Sequence, residues 1–260
     1  MKCKDIVKIM EKLAPQNLAY AKDNVGLICG DAEQEIDSIL LTLDVDCGVI
    51  AEAVNLGAQL IVSHHPIMYH PIQKITAQDL QGQKIRALIQ NNISMFAAHT
   101  NLDIARGALC DLLAQKIGLS NVEILEYTVG DMEGIGRIGD IAPIRFSELA
   151  AHVKQTLGVK ALRYSGEDRI VSRIAVNTGC GTGALPTAIA KNADVFITGD
   201  FMYDQARDTV ASGTCVIDAG HYETENIAKE LFYGFLIKEL GDKVELHISK
   251  SNVNVYDVIL

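Results

Sequence analysis

The sequence predicts an α/β fold built as two related lobes, and three observations carry that reading. Short apolar, β-branched runs alternate with helix-like segments along the chain, the grammar of βαβ units and a largely parallel sheet. Clusters of His, Asp and Glu recur where those runs end. One spacing occurs in both halves: Leu40 to Ile61 and Ile174 to Val195 are each separated by 21 residues, in the same strand–helix–strand context.

Taken in order, MKCKDIVKIMEKLA reads as an amphipathic helix and lacks the apolar core and cleavage site of a signal peptide. SILLTLDV (38–45) reads as a strand, GVIAEAVNLG (48–57) as a helix and QLIVS (59–63) as a strand. A helix around 78–91, a strand at 93–99 and a helix at roughly 105–118 follow. The stretch from Tyr127 to Gly139, rich in Gly and acidic residues, is the best boundary between lobes and gives domains of 1–126 and 127–260. The second half then offers a strand at 173–179, a Gly-rich turn and helix, a strand at 194–200, a helix at about 202–212, a strand at 214–221 and one long closing helix.

Composition narrows the function. At 260 residues, 48% hydrophobic and 22% charged, the chain reads as an ordinary globular protein with room for a sizeable core. A formal net charge of -10 and the lack of any Lys/Arg-rich run argue against a nucleic-acid partner. No apolar run is long enough to span a bilayer, so no membrane partner is expected. Six scattered cysteines without a CxxC pair read as reduced thiols, which places the protein in the cytoplasm.

Four strand-end segments concentrate the chemistry: His64 and His65 in SHHP, His99 and Asp103 in HTNLD, Asp200 in TGD, and His221 and Glu225 in GHYETE. Sites in open α/β sheets gather at the carboxyl ends of strands, where all four lie. Imidazoles with carboxylates suit borderline divalent ions, Zn, Fe, Mn, Ni or Co. Adjacent histidines in extended chain point to opposite faces, so His64 and His65 suit two ions close together rather than one. Asp103 and Glu225 are the natural bridging carboxylates, and two ions that activate water and clamp a substrate oxygen suggest hydrolysis.

Each residue also has a plainer reading. Asp103 suits the N-cap of the next helix, and Glu225 suits a first helical turn. Singly these readings win, but together they require every strand-end cluster to be polar by coincidence. His70 reads as a loop histidine before proline, and His152 and His247 as surface residues. The glycines of NTGCGTGA (177–184) match neither GxGxxG nor a P-loop, so a tight strand-to-helix turn is preferred over a phosphate cradle. There is no GxSxG and no cysteine in a nucleophile context.

DNVGLICGD (23–31), SHHP (63–66), HTNLD (99–103), TGD (198–200) and GHYETE (220–225) occur in the order seen in the Nif-three-like dinuclear metal-centre proteins, often labelled GTP cyclohydrolase 1 type 2, and the chain resembles that family over essentially its whole length. The resemblance implies two α/β lobes with a two-metal site in the cleft between them, and a ring-shaped homohexamer. It implies that His64, His65, Asp103, His221 and Glu225 are the ligands, with Glu225 bridging, and that His99 acts beside them as a second shell or proton shuttle. It also implies the short form, without the third domain that longer relatives insert between the halves. Two departures stand out: no Trp precedes the first DN motif, and Asp204 stands where the family tends to show a His. The resulting expectation is a metal-dependent hydrolase, with two divalent ions per chain, acting on a small nucleotide-like substrate. The alternatives are a non-catalytic metal-binding or regulatory protein and, against the net charge, a DNA-associated ring.

Overall fold

Residues 1–259 are described by the computed structural model. Eleven strands follow one another among them: β1 Gly26–Cys29, β2 Ser38–Thr42, β3 Leu60–Ser63, β4 Ser94–Ala97, β5 Ser120–Val129, β6 Glu133–Arg145, β7 Arg163–Ser165, β8 Ile170–Val176, β9 Val195–Thr198, β10 Cys215–Asp218 and β11 Glu245–Ile248. They form a five-stranded and a six-stranded sheet, each in its own compact unit. The fold is therefore mixed α/β with two sheets, as the alternation of segments predicts.

The first unit comprises Met1–Leu102 and Ala228–Val253. Its sheet runs β1-β4-β3-β2-β11, parallel throughout except for β1. Every residue of β2, β3 and β4 is buried, which explains why they read as continuous apolar runs rather than alternating ones. The crossover helix Cys47–Leu56 starts where the Asp46 side chain accepts from Val49 N at 2.8 Å and stops at Gly57, whose φ of +65° suits glycine. Its Val49, Ile50 and Ala53 pack with Leu40, Ile61 and Met95 in the core. Leu40 pairs with Ile61 in the ladder, so the 21-residue spacing is the parallel register itself. The carboxyl ends of three neighbouring strands, at Thr42, Ser63 and Ala97, thereby come side by side.

The second unit comprises Asp103–Ile227 and the terminal residues from Asn254. Its sheet runs β5-β6-β8-β9-β10-β7, with β8, β9 and β10 mutually parallel. Ile174 pairs with Val195, the second instance of the 21-residue spacing. Phe196, Ala175, Val216 and Leu125 anchor the core beneath the helix Leu185–Ala190.

Two elements depart from the sequence reading. Residues 127–139 are not a linker: they lie in the hairpin of β5 and β6, and the proposed cut at 126/127 falls within β5. Glycine is there for close packing, since a β-carbon on Gly134 would collide with Glu126 O and stand 2.7 Å from Tyr127 Cα. The long closing helix is two helices, His221–Glu225 and Ala228–Leu240. Among the described residues no helix is long and apolar enough to cross a membrane.

Candidate metal centre

In the first unit three histidines follow the ends of two adjacent parallel strands, His64 and His65 after β3 and His99 after β4. Their ring centroids are 5.1 to 5.4 Å apart, and one ligand nitrogen from each lies within 4.8 Å of the others. The expectation that His64 and His65 face opposite ways does not hold. Both lie beyond the strand in a bend, which Ser63 Oγ closes by donating to His65 O at 2.7 Å.

Each ring is held at the same atom. His64 Nδ1–H donates to Ala98 O at 2.8 Å, His65 Nδ1–H to Asp44 Oδ1 at 2.7 Å, and His99 Nδ1–H to Asp23 Oδ1 and Oδ2 at 2.9 and 3.0 Å. A carbonyl or carboxylate oxygen can only accept, so in the neutral rings the lone pair sits on Nε2, the nitrogen a metal would take. Asp23 is itself enclosed. Burial acts to raise its carboxyl, but hydrogen bonds from His99 and Thr100 outweigh it and hold the group at about 2. Asp23 is thus a fixed negative charge behind His99.

The second unit gathers the acidic ligands. Asp103 and Glu225 are buried, and a carboxylate oxygen of one lies within 4.8 Å of one of the other. Thr178 Oγ1 donates to Asp103 Oδ1 at 2.7 Å, and Cys110 Sγ sits 3.4 Å from that hydroxyl. Burial, with the Asp103 charge adding to it, pushes the Cys110 thiol up, so it remains S–H. His221 Nδ1–H donates to Asp200 Oδ2 at 2.7 Å, while its Nε2 stands 2.9 Å from Glu225 Oε2, one helical turn on. Glu225 lies against Gly179, whose φ is +54°; a β-carbon there would collide with Glu225 Oε1 and stand 2.8 Å from Cδ. The glycine-rich stretch after β8 is a tight turn in which Gly179 leaves room for the Glu225 carboxylate.

A family model described as Duf34/NIF3 (NGG1p interacting factor 3) matches residues 1–255. The chain belongs to the Duf34/NIF3 family. It is 40% identical over 262 residues to a Clostridium perfringens protein named "GTP cyclohydrolase 1 type 2 homolog", covering 100% of both chains. Among solved structures it is similar to "Reduced HcgD from Methanocaldococcus jannaschii", with TM-score 0.83 and 31% identity over 96% of this chain and 98% of that one. It also shares its fold with a Bacillus cereus protein related to NIF3, with TM-score 0.92 and 24% identity over 100% and 99%.

Of the seven residues singled out from the sequence, this Duf34/NIF3 protein has His64, His65 and His99 in the first unit and Asp103, Asp200, His221 and Glu225 in the second. The plainer readings of the carboxylates lose ground. Asp103 lies inside the short helix Thr100–Ile104, and Ala108 holds the N-cap of the next one, Leu109–Ile117. Glu225 closes its helix rather than opening it. Asp204 is exposed in the first turn of Tyr203–Ala211, and His70 is an exposed loop residue against the Tyr69 ring. The residues that escaped sequence reading are two partners of the imidazoles, Asp44 and Asp23; Asp200 was singled out as a strand-end acid, but not as the partner of His221. A signal for Asp44 was present: it stands 21 residues before His65, the offset that pairs β2 with β3.

Proposed function

We propose that His64, His65, Asp103, His221 and Glu225 would hold two divalent metal ions per chain, which this chain would use to hydrolyse a small nucleotide-like substrate. The observation that carries the reading is the uniform engagement of Nδ1. The three proposed ligand histidines, His64, His65 and His221, each give that atom to an oxygen acceptor, the arrangement that fixes ring and tautomer for ligation through Nε2, and His99 beside them is held in the same way. The donor set, nitrogen and oxygen without thiolate, fits borderline divalent ions, Zn, Fe, Mn, Ni or Co.

Bound divalent ions supply Lewis acidity toward a water and a substrate oxygen. The chain's own part is positioning and proton transfer. Thr178 keeps one Asp103 oxygen engaged. His99, its Nδ1–H fixed on ionised Asp23, is oriented to take a proton at Nε2 from the attacking water and return it to the leaving group. The names of the relatives favour a guanine nucleotide as the first substrate to try. A ring-shaped homohexamer belongs to the same reading and is tested by light scattering of the purified protein.

The deciding experiment is elemental analysis of the purified chain beside Glu225→Ala, followed by a turnover assay with GTP. About two ions per chain in the wild type, lost in the variant, together with hydrolytic opening of the GTP imidazole ring would support the proposal. A chain that takes up no Zn, Fe, Mn, Ni or Co would refute it. Full metal loading with no turnover of GTP or other phosphorylated substrates would leave a metal-binding protein without this activity.

A further inference from the structure

The segment Thr198-Gly199-Asp200 ends β9 and contributes nothing to the proposed ligands, yet each of its residues is tied to the loop that carries His221 or to the Gly179 turn. Thr198 Oγ1 accepts from Gly181 N and donates to Gly179 O, both at 2.9 Å, and Thr198 O accepts from Ala219 N at 2.8 Å. Gly199 N donates to Gly179 O at 2.8 Å. A β-carbon on Gly199 would stand 2.6 Å from the Gly220 carbonyl carbon and 2.7 Å from His221 Cα. Only glycine lets the end of β9 lie this close to the His221 loop.

Asp200 then takes a φ of +56°. The other non-glycine residues with positive φ among those described, Asn92, Asn121 and Asn192, are all asparagines, the side chain best suited to that conformation after glycine. Aspartate, like asparagine, enters this region more readily than other side chains, but at a backbone cost that glycine would not carry. The ion pair it makes does not explain the choice, because the Asp200 side chain is 55% exposed and pairs of that kind add little stability. What the strained backbone achieves is position: Oδ2 sits 2.7 Å from His221 Nδ1.

We infer that Asp200 is a positioning residue for His221, holding its ring plane and its Nδ1–H tautomer so that Nε2 is presented as a ligand; this rests on the reading of His221 as a metal ligand. Strain at a non-glycine residue is tolerated where the surrounding structure fixes it for use, and a carboxylate behind a ligating imidazole is such a use.

The test compares full-length wild type with Asp200→Gly and Asp200→Asn. Three quantities are measured: zinc affinity by competition with a chromophoric chelator, melting of the metal-free protein, and imidazole nitrogen resonances. Glycine relieves the backbone, so Asp200→Gly should melt at or above the wild-type midpoint while its zinc affinity falls by roughly 10- to 100-fold. Its His221 nitrogen shifts should move toward tautomer averaging. Asp200→Asn, which keeps an oxygen acceptor in place, should recover much of the affinity. Zinc binding by the wild type with Asp200→Gly unchanged within about twofold overturns this inference and leaves the ligand reading standing. Lowered melting in Asp200→Gly, with His221 shifts like those of wild type, makes Asp200 a residue of the fold and also overturns it. A wild type that binds no zinc overturns the ligand reading and this inference together.

Discussion

Asp23 shows how far one side chain can be set by its neighbours. It is enclosed, yet it stays ionised because His99 Nδ1–H, Thr100 N–H and Thr100 Oγ1–H all donate to it. Its carboxyl is held at about 2 against an ordinary value of 3.8. A shift of that size corresponds to roughly 2 kcal/mol of native-state stability. Because the folded value is the lower one, the contribution is complete above about pH 4 and is lost as the pH falls through about 2. Urea denaturation of the metal-stripped protein across that window should show the loss, and Asp23→Asn should flatten it. A wild-type slope identical to that of Asp23→Asn would mean that the hydrogen bonds do not select the ionised form. At this scale the candidates His64, His65, His99, Asp103, Asp200, His221 and Glu225 stood out in the sequence because histidines and acids cluster where its apolar runs end. Asp23 and Asp44 did not, nor did the role of Asp200 toward His221, because a carboxylate that serves a neighbour's Nδ1 looks like any polar loop residue until the neighbour is known.

The central strands β2, β3, β4 and β9 were legible for a physical reason: buried throughout, they read as almost unbroken apolar runs, and the parallel registers of β2 with β3 and β8 with β9 repeat in sequence as a 21-residue offset. The hairpin of β5 and β6 was not, since its glycines serve close backbone approach and imitate the composition of a linker. The turn after β8 posed the same ambiguity and resolves toward the site. Gly179 combines a left-handed φ with a carboxylate where its β-carbon would stand, so Gly179→Ala introduces both strain and a collision with Glu225. The expected result is a destabilisation of about 1–3 kcal/mol by thermal melting. Bound metal should also fall, beyond what the remaining folded fraction accounts for. A variant with wild-type metal content would mean that Glu225 has room to move aside and that the glycine is not needed to place it.

At the scale of the whole molecule, sequence reading divided the chain once, near its middle, whereas the compact units are discontinuous: Ala228–Val253 returns to the first and adds β11 parallel to β2. A pairing between Ser38 and Glu245 leaves no local pattern, so nothing short of the fold reveals it. The same discontinuity assigns the proposed ligands to different units, His64 and His65 to one, Asp103, His221 and Glu225 to the other. If all five act on the same ions, the sites cannot be titrated independently. His64→Ala and Glu225→Ala should then each lower zinc content and each weaken the stabilisation that zinc gives the entire chain. At a hundredfold excess over the dissociation constant that stabilisation is about 2.7 kcal/mol for a single ion. Calorimetry with and without zinc measures it directly, and the single transition of the loaded wild type should lose its zinc dependence in either variant. Were His64→Ala to remove one ion and leave the other bound with wild-type affinity and a zinc-dependent transition of its own, each unit would hold its metal alone. The proposed assignment of all five residues to the same ions would then have to be given up.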